Sequence, residues 1–241
     1  MTVPVVVITF YCPTPDQVAT YADWLREVHI PESVDLIDGI AAGQLFALHD
    51  EQRTINDPLV FPLFSLYELT DDPARVFDRA TSIERQPYDG IPVHTRTTVQ
   101  APVGNPHGSH ATGQLVVVEF AQYPTDLRAR ILEHQRAQWL AEVSALGSVV
   151  AVQQFEKCDF EHPPVPFSAP MSYRDLTIWE LQDGVGRWLD ARSDAGLDAG
   201  LPDELSEPDL VRASLSTRRS GAFVRLGARH VRLAKSPSRA S

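Results

Sequence analysis

Apolar residues fall along the chain in two rhythms. Val5 to Tyr11 is a short apolar, β-rich run, and from about Asp16 to Leu36 the residues Val18, Tyr21, Leu25 and Val28 recur at helical spacing. Gln44 to His49 and Phe61 to Leu69 read as strands, and Pro73 to about Ile83 as a helix with proline at its first turn. Pro92 to Val99 alternates as a closing strand. The same order returns as strand 115–121, helix 126–146, strands 149–157 and 173–181, helix 184–195 and strand 210–217. A further strand-like piece spans 222–233.

The second series repeats the first in residues as well as in rhythm. Tyr67-Glu68-Leu69 through Asp78 aligns without a gap on Trp179-Glu180-Leu181 through Asp190, keeping the aromatic, Glu, Leu, Asp, Arg, apolar pair and Asp in register. Upstream, Val5–Phe10 matches Leu115–Phe120, each followed by a Pro-containing turn and an acid, Asp16 or Asp126. Self-similarity at a spacing of about 110 residues points to a duplicated module. The order βαββαβ is the ferredoxin-like unit, which packs both helices on one sheet face and leaves the other face apolar and uncovered. A second copy supplies the cover.

The expected fold is therefore α+β: two tandem ferredoxin-like βαββαβ repeats with antiparallel sheets packed face to face as an intrachain α+β barrel. The Pro- and Gly-rich stretch Ala101 to His110 marks the boundary. It gives an N-terminal repeat at 1–104, a linker at 105–112, a C-terminal repeat at 113–219 and a basic extension at 220–241.

Charge narrows the partners. The 241 residues carry 32 acids against 21 Lys and Arg, net −11, which disfavours a nucleic-acid-binding surface. From Leu210 onward eight basic residues stand without an acid, leaving net −19 over positions 1–209, so the C-terminal segment is expected to dock on an acidic body. Two cysteines cannot form a secreted disulfide framework, and no apolar run approaches the roughly 18 residues of a membrane span. A cytoplasmic protein without a membrane partner is expected. No Gly-rich phosphate loop and no metal-ligand spacing occurs; His107 and His110 lie in the Gly/Pro stretch, and Cys158 with His162 leads into a proline-rich loop. Neither a metal nor another cofactor is expected.

Tyr21 to Glu32 ends in His29-Ile30-Pro31 and leads through Ile37-Asp38-Gly39 into the strand Gln44 to Leu48. This resembles the dimeric α+β barrel superfamily, most closely its EthD-like branch, in which a helix ending in His-x-Pro precedes an apolar turn with Gly and a strand. Repeat two lacks the histidine: the partner of His29 falls at Ala137 or Trp139, with His134 about one turn earlier. The resemblance implies a catalytic histidine in the N-terminal half alone. It also implies reactions of small, aromatic or polyketide-like carbonyl compounds: dehydration, cyclisation, isomerisation or cofactor-free oxygenation. Lyase or isomerase chemistry is preferred over a monooxygenase, because nothing in the sequence speaks for oxygen handling. Tandem barrels of the superfamily also hold haem, but no haem-site signature surrounds His134.

His29, read as lying near a helix C-terminus beside Glu27 and Glu32, is the candidate general acid or base. Tyr67, sharing a strand face with Ser65 and Leu63, is a candidate pocket hydroxyl. His94 and Arg96 share a face of Pro92–Val99 and are candidates to bind a substrate oxyanion. The competing expectation is a non-catalytic small-molecule binding or accessory protein. A pocket joining His29 to Tyr67, His94 or Arg96 would favour catalysis; purely apolar walls would favour binding. A fused tandem can cover its own sheets as a monomer, and the superfamily's habit of pairing gives a homodimer of tandem barrels as the alternative.

Overall fold

The computed structural model describes residues 3–50, 59, 61–108, 114–133, 135–136, 149–160, 168–182, 184–186, 188 and 219–233. Its strands are β1 (Val5–Cys12), β2 (Ile40–Leu48), β3 (Leu63–Leu69), β4 (His94–Gly108), β5 (Leu115–Ala121), β6 (Val149–Lys157), β7 (Ser168–Pro170), β8 (Asp175–Leu181) and β9 (Arg219–Val231). Eight of them close a ring in the order β1-β3-β2-β9-β5-β8-β6-β4 and back to β1, every pairing antiparallel; β7 adds to β4 in parallel outside the ring. Closure removes the unpaired edges that an open sheet would present.

The apolar runs are almost continuous because these strands are buried on both faces. In β1, Val6, Ile8 and Phe10 point into the barrel while Val7 and Tyr11 pack under the helices. The interior is filled, not hollow. The Phe10 ring lies 5.3 Å from Phe64, 5.7 Å from Phe120 and 6.2 Å from Phe223, and Phe46 stacks on Phe64 at 4.5 Å. Phe10→Ala is expected to cost about 3–5 kcal/mol, read as a lowered urea midpoint with an unchanged slope.

Three expectations are corrected here. The two sheets do not simply face each other; they join edge to edge through β2–β9 and β4–β6 into one ring. Residues 105–108 of the expected linker are strand, because β4 runs on past Val99 to pair with β6; 109–113 lie outside the described residues. The expected extension 220–241 is mostly β9, a barrel strand hydrogen-bonded between β2 and β5. The expected strand 210–217, most of helices 126–146 and 184–195, and His110, His134 and His162 also lie outside the described residues.

The basic character of the C-terminal segment has a structural outlet. Arg229 grips Glu68 at 2.6 and 3.1 Å, His230 meets Asp35 at 3.1 Å, and Arg232 reaches the Val34 carbonyl and the Asp38 carboxylate. Over 219–233 the basic strand is docked on the acidic N-terminal body, as the charge distribution implies. No helix among the described residues is long and apolar enough to cross a membrane.

Residues 18–36 form one helical run in three parts: α1 (Val18–Trp24), a π-helical turn (Leu25–His29) and α2 (Ile30–Leu36). Pro31 explains the turn. A proline cannot donate to the carbonyl four residues back and its ring crowds that carbonyl, so the chain widens before it and the Ile30 N–H bonds the Leu25 carbonyl five residues back. Helix α3 (Pro73–Ser82) starts on Pro73 with Asp72 as cap, its carboxylate accepting from the Arg75 N–H.

Candidate functional site

A cavity of about 520 Å³ lies in the N-terminal half, between the outer faces of β1, β3 and β4 and the helices. That volume falls within the range of about 300–1,000 Å³ found for small-molecule sites. Strand alternation places Thr9 and Tyr11 of β1, Tyr67 of β3, and Thr95 and Thr97 of β4 on its floor. The π turn presents His29, α2 presents Ser33, α3 presents Val76 and Phe77, and the following loop brings Arg85.

His29 keeps part of its surface accessible and stacks on Trp24 at 4.8 Å. Burial, and secondarily the Arg85 cation, hold its pKa down at about 3. The expectation of a helix end favouring the imidazolium is thus reversed: the helix continues through α2, so no C-terminal dipole reaches His29. Neither neighbouring acid compensates. Glu27 accepts from Arg26 at 2.9 Å, and Glu32 accepts from the Gln86 N–H at 3.0 Å. A neutral imidazole in such a place can take a proton and has none to give at neutral pH.

Three tyrosines surround the cavity floor, and burial pushes the phenol pKa of each up, so all stay protonated. Tyr11 is hydrogen-bonded to Ser65 at 2.7 Å. The Tyr67 hydroxyl is buried close to Ser33, Ser65 and Tyr11 yet has no hydrogen bond of ordinary geometry, which leaves a buried donor unused. Arg85 donates to the Ser33 hydroxyl at 3.3 Å and to the Ala80 carbonyl at 3.4 Å, and reaches no carboxylate among the described residues.

Of the residues expected at the site, His29 and Tyr67 are brought together. His94 and Arg96 are not. Their strand alternates as expected, but Thr95 and Thr97 face the cavity, while His94 and Arg96 lie exposed on the opposite alternation. Sequence reading missed Arg85, Ser33, Tyr11 and Tyr21. The alternation Val7, Thr9, Tyr11 within an apolar run was a usable signal for β1; Arg85 sits in a loop, where no periodicity points anywhere.

No family model matches the chain, and no curated protein matches its sequence. Solved structures do match its fold. An anthrone oxidase-like protein superposes with a TM-score of 0.62 at 12% identity, covering 97% of this chain and 95% of that one. A monooxygenase candidate from Fusobacterium nucleatum gives a TM-score of 0.50 at 9% identity, covering 96% and 99%. What these likenesses share with the chain is the fold, an antiparallel α+β barrel that here closes within a single chain.

Proposed function

We propose that this protein is a cofactor-independent enzyme of the EthD-like kind that acts on a small aromatic or polyketide-like carbonyl compound, with His29 as general base. The observation that carries this is the pairing, in one cavity of about 520 Å³, of a neutral imidazole with the unused Tyr67 hydroxyl. Walls that were apolar throughout would favour simple binding instead. In the proposed step His29 takes a proton from a carbon next to the carbonyl or conjugated to it through an aromatic ring, as C10 of an anthrone is. The C–H electron pair moves into the new C=C bond, and the carbonyl oxygen, now carrying the charge, accepts from Tyr67. Return of the proton to another carbon is isomerisation, loss of a β-hydroxyl is dehydration, and attack on a second carbonyl is cyclisation. Capture by dioxygen is the monooxygenase alternative, and the anthrone oxidase-like neighbour supports keeping it in the test.

The proposal includes a duplicated chain whose second copy has become scaffold, divided at 1–104 and 113–219 with β9 completing the second unit. Strand order supports it: β4-β1-β3-β2 in the first half corresponds to β9-β5-β8-β6 in the second. So does register, since Val7 faces Tyr67 and Val117 faces Trp179. Buried Gln44 and Gln153 each donate to the next residue's carbonyl and to one across the seam, Leu226 and Val103. At the seams Gly104 (φ 69°) lies under Arg136 and Gly227 (φ 73°) under Arg26, both at the positive φ that favours glycine. Where the first half has Tyr67 and Val76, the second has the bulkier Trp179 and Trp188, whose rings pack 5.3 Å apart.

Anaerobic exchange isolates the proton-transfer step from whatever follows it. Anthrone in D₂O should exchange its C10 protons faster with the protein than with buffer, followed by proton NMR; no acceleration with any aromatic ketone tried would leave the binding-protein reading in place. Admission of air then separates the fates. If the protein also directs oxidation, one anthrone and one O₂ give one anthraquinone and one water.

A further inference from the structure

Six other arginines among the described residues find carboxylates. Arg26, Arg79, Arg128, Arg174, Arg229 and Arg232 each reach one at 2.9 Å or closer. Arg85 lines the cavity and, among the described residues, does not. Its guanidinium has five N–H donors, of which the two contacts at 3.3 and 3.4 Å, to Ser33 and the Ala80 carbonyl, occupy only part. Glu84, adjacent in sequence, is exposed and forms no ion pair with Arg85, and Glu32 is engaged by the Gln86 N–H. A half-buried cation facing a cavity without a counter-charge carries an unfilled complement for an anion. Arginine suits a flat oxyanion better than a point charge would, because its fork matches two oxygens at once.

We propose that Arg85 is a substrate anchor that binds an oxyanion already present on the ground-state substrate, so that the substrate class is an aromatic carbonyl compound bearing a carboxylate or an ionised phenol. The anion sits at the α3-loop side of the cavity, and the rings extend over the Tyr11 and Tyr67 floor toward His29. This deepens the catalytic reading above but stands on its own contacts, since an anion would bind at Arg85 whether or not His29 moves a proton.

Anthraquinone-2-carboxylate and its neutral carboxamide are the probes, titrated against the full chain by quenching of tryptophan fluorescence and by calorimetry. The wild-type protein should prefer the carboxylate. Arg85→Gln should weaken carboxylate binding about 10- to 100-fold, the scale of a charge-assisted pair, and leave the carboxamide within about twofold. Equal affinity of the two probes for wild type, or an equal loss of both in Arg85→Gln, overturns the proposal. Alizarin distinguishes the source: a phenolate spectrum bound to wild type, but not to Arg85→Gln, at a pH where the free dye is neutral assigns an ionised phenol, and carboxylate binding alone assigns a carboxylate. Repeating the titration on His29→Ala separates the two readings, because the carboxylate preference should survive there even if proton exchange does not.

Discussion

Replacing His29 by alanine is expected to lower protein-catalysed C10 proton exchange of anthrone by about 10²- to 10⁴-fold, the usual contribution of a positioned base. The pH profile separates this from a merely structural loss. Burial and Arg85 keep the imidazole neutral down to a pKa of about 3, so the wild-type rate should stay level as pH falls from 8 to 5 and decline only below that. A rate that halves near pH 6.5 would mean that His29 titrates as an ordinary histidine, and the base assignment would fail. Stability carries the same signature. Between pH 6.5, the ordinary histidine value, and about 3 the unfolded chain binds a proton at this position that the folded chain does not. Folding stability due to His29 therefore rises with pH through that window and is penalised progressively toward acid. In His29→Ala that penalty is gone, so the difference between the urea midpoints of variant and wild type should shift in the variant's favour from pH 7 to pH 4. Parallel pH curves would show that the imidazole is not buried as described.

The two rhythms of apolar residues carried much of the fold. The apolar, β-rich runs at 5–11, 61–69 and 115–121 and the proline-led helix at 73 are local properties, and β1, β3, β5 and α3 lie within a few residues of where the pattern puts them. The alignment of 67–78 with 179–190 likewise corresponds to two strands, β3 and β8, in the same register against β1 and β5. What sequence could not convey was non-local. Proline and glycine in 101–108 look like a linker, yet the backbone there pairs with β6, because a seam strand tolerates a bulge at Gly104. The strand-like piece at 222–233 is indeed a strand, but its place in the ring between β2 and β5 was not legible, and its basic residues suggest a tail because their partners Glu68 and Asp38 are distant in sequence. The face of β4 is the same kind of problem. Alternation says that Thr95 and Thr97 oppose His94 and Arg96, but which set meets the helices depends on how the ring closes. His29 and Tyr67 were legible as cavity residues because a motif and a strand position marked them; Arg85 sits in a loop, and its lack of a carboxylate partner among the described residues is a property of the folded chain.

A chain ending at residue 218 is expected not to fold. If 219–233 were an appended tail, its removal would cost the ion pairs of Arg229 with Glu68 and Arg232 with Asp38, each worth about 0–1 kcal/mol at a surface, and the His230–Asp35 hydrogen bond. As a barrel strand it costs far more. Leu48 lies opposite Phe223 on one side and Leu115 opposite Val224 on the other, so its loss unpairs β2 and β5 together and turns a closed ring into an open sheet. It also removes Phe223, fully buried and set edge-on to Phe64 at 4.7 Å; deleting such a ring costs about 3–5 kcal/mol by itself. Against a total stability of roughly 5–15 kcal/mol, that core loss and the lost ladders leave little or no folded population. The 1–218 chain should show no cooperative urea transition by far-UV circular dichroism. Phe223→Ala in the full chain should still unfold cooperatively at a lowered midpoint, and Arg229→Gln should shift it little. That ranking follows from which contacts are buried: the pairs at the rim are solvated in both states, while the ladder and the ring exist only when the barrel is closed. A truncated chain that melts cooperatively near the wild-type midpoint would return β9 to the status of a tail.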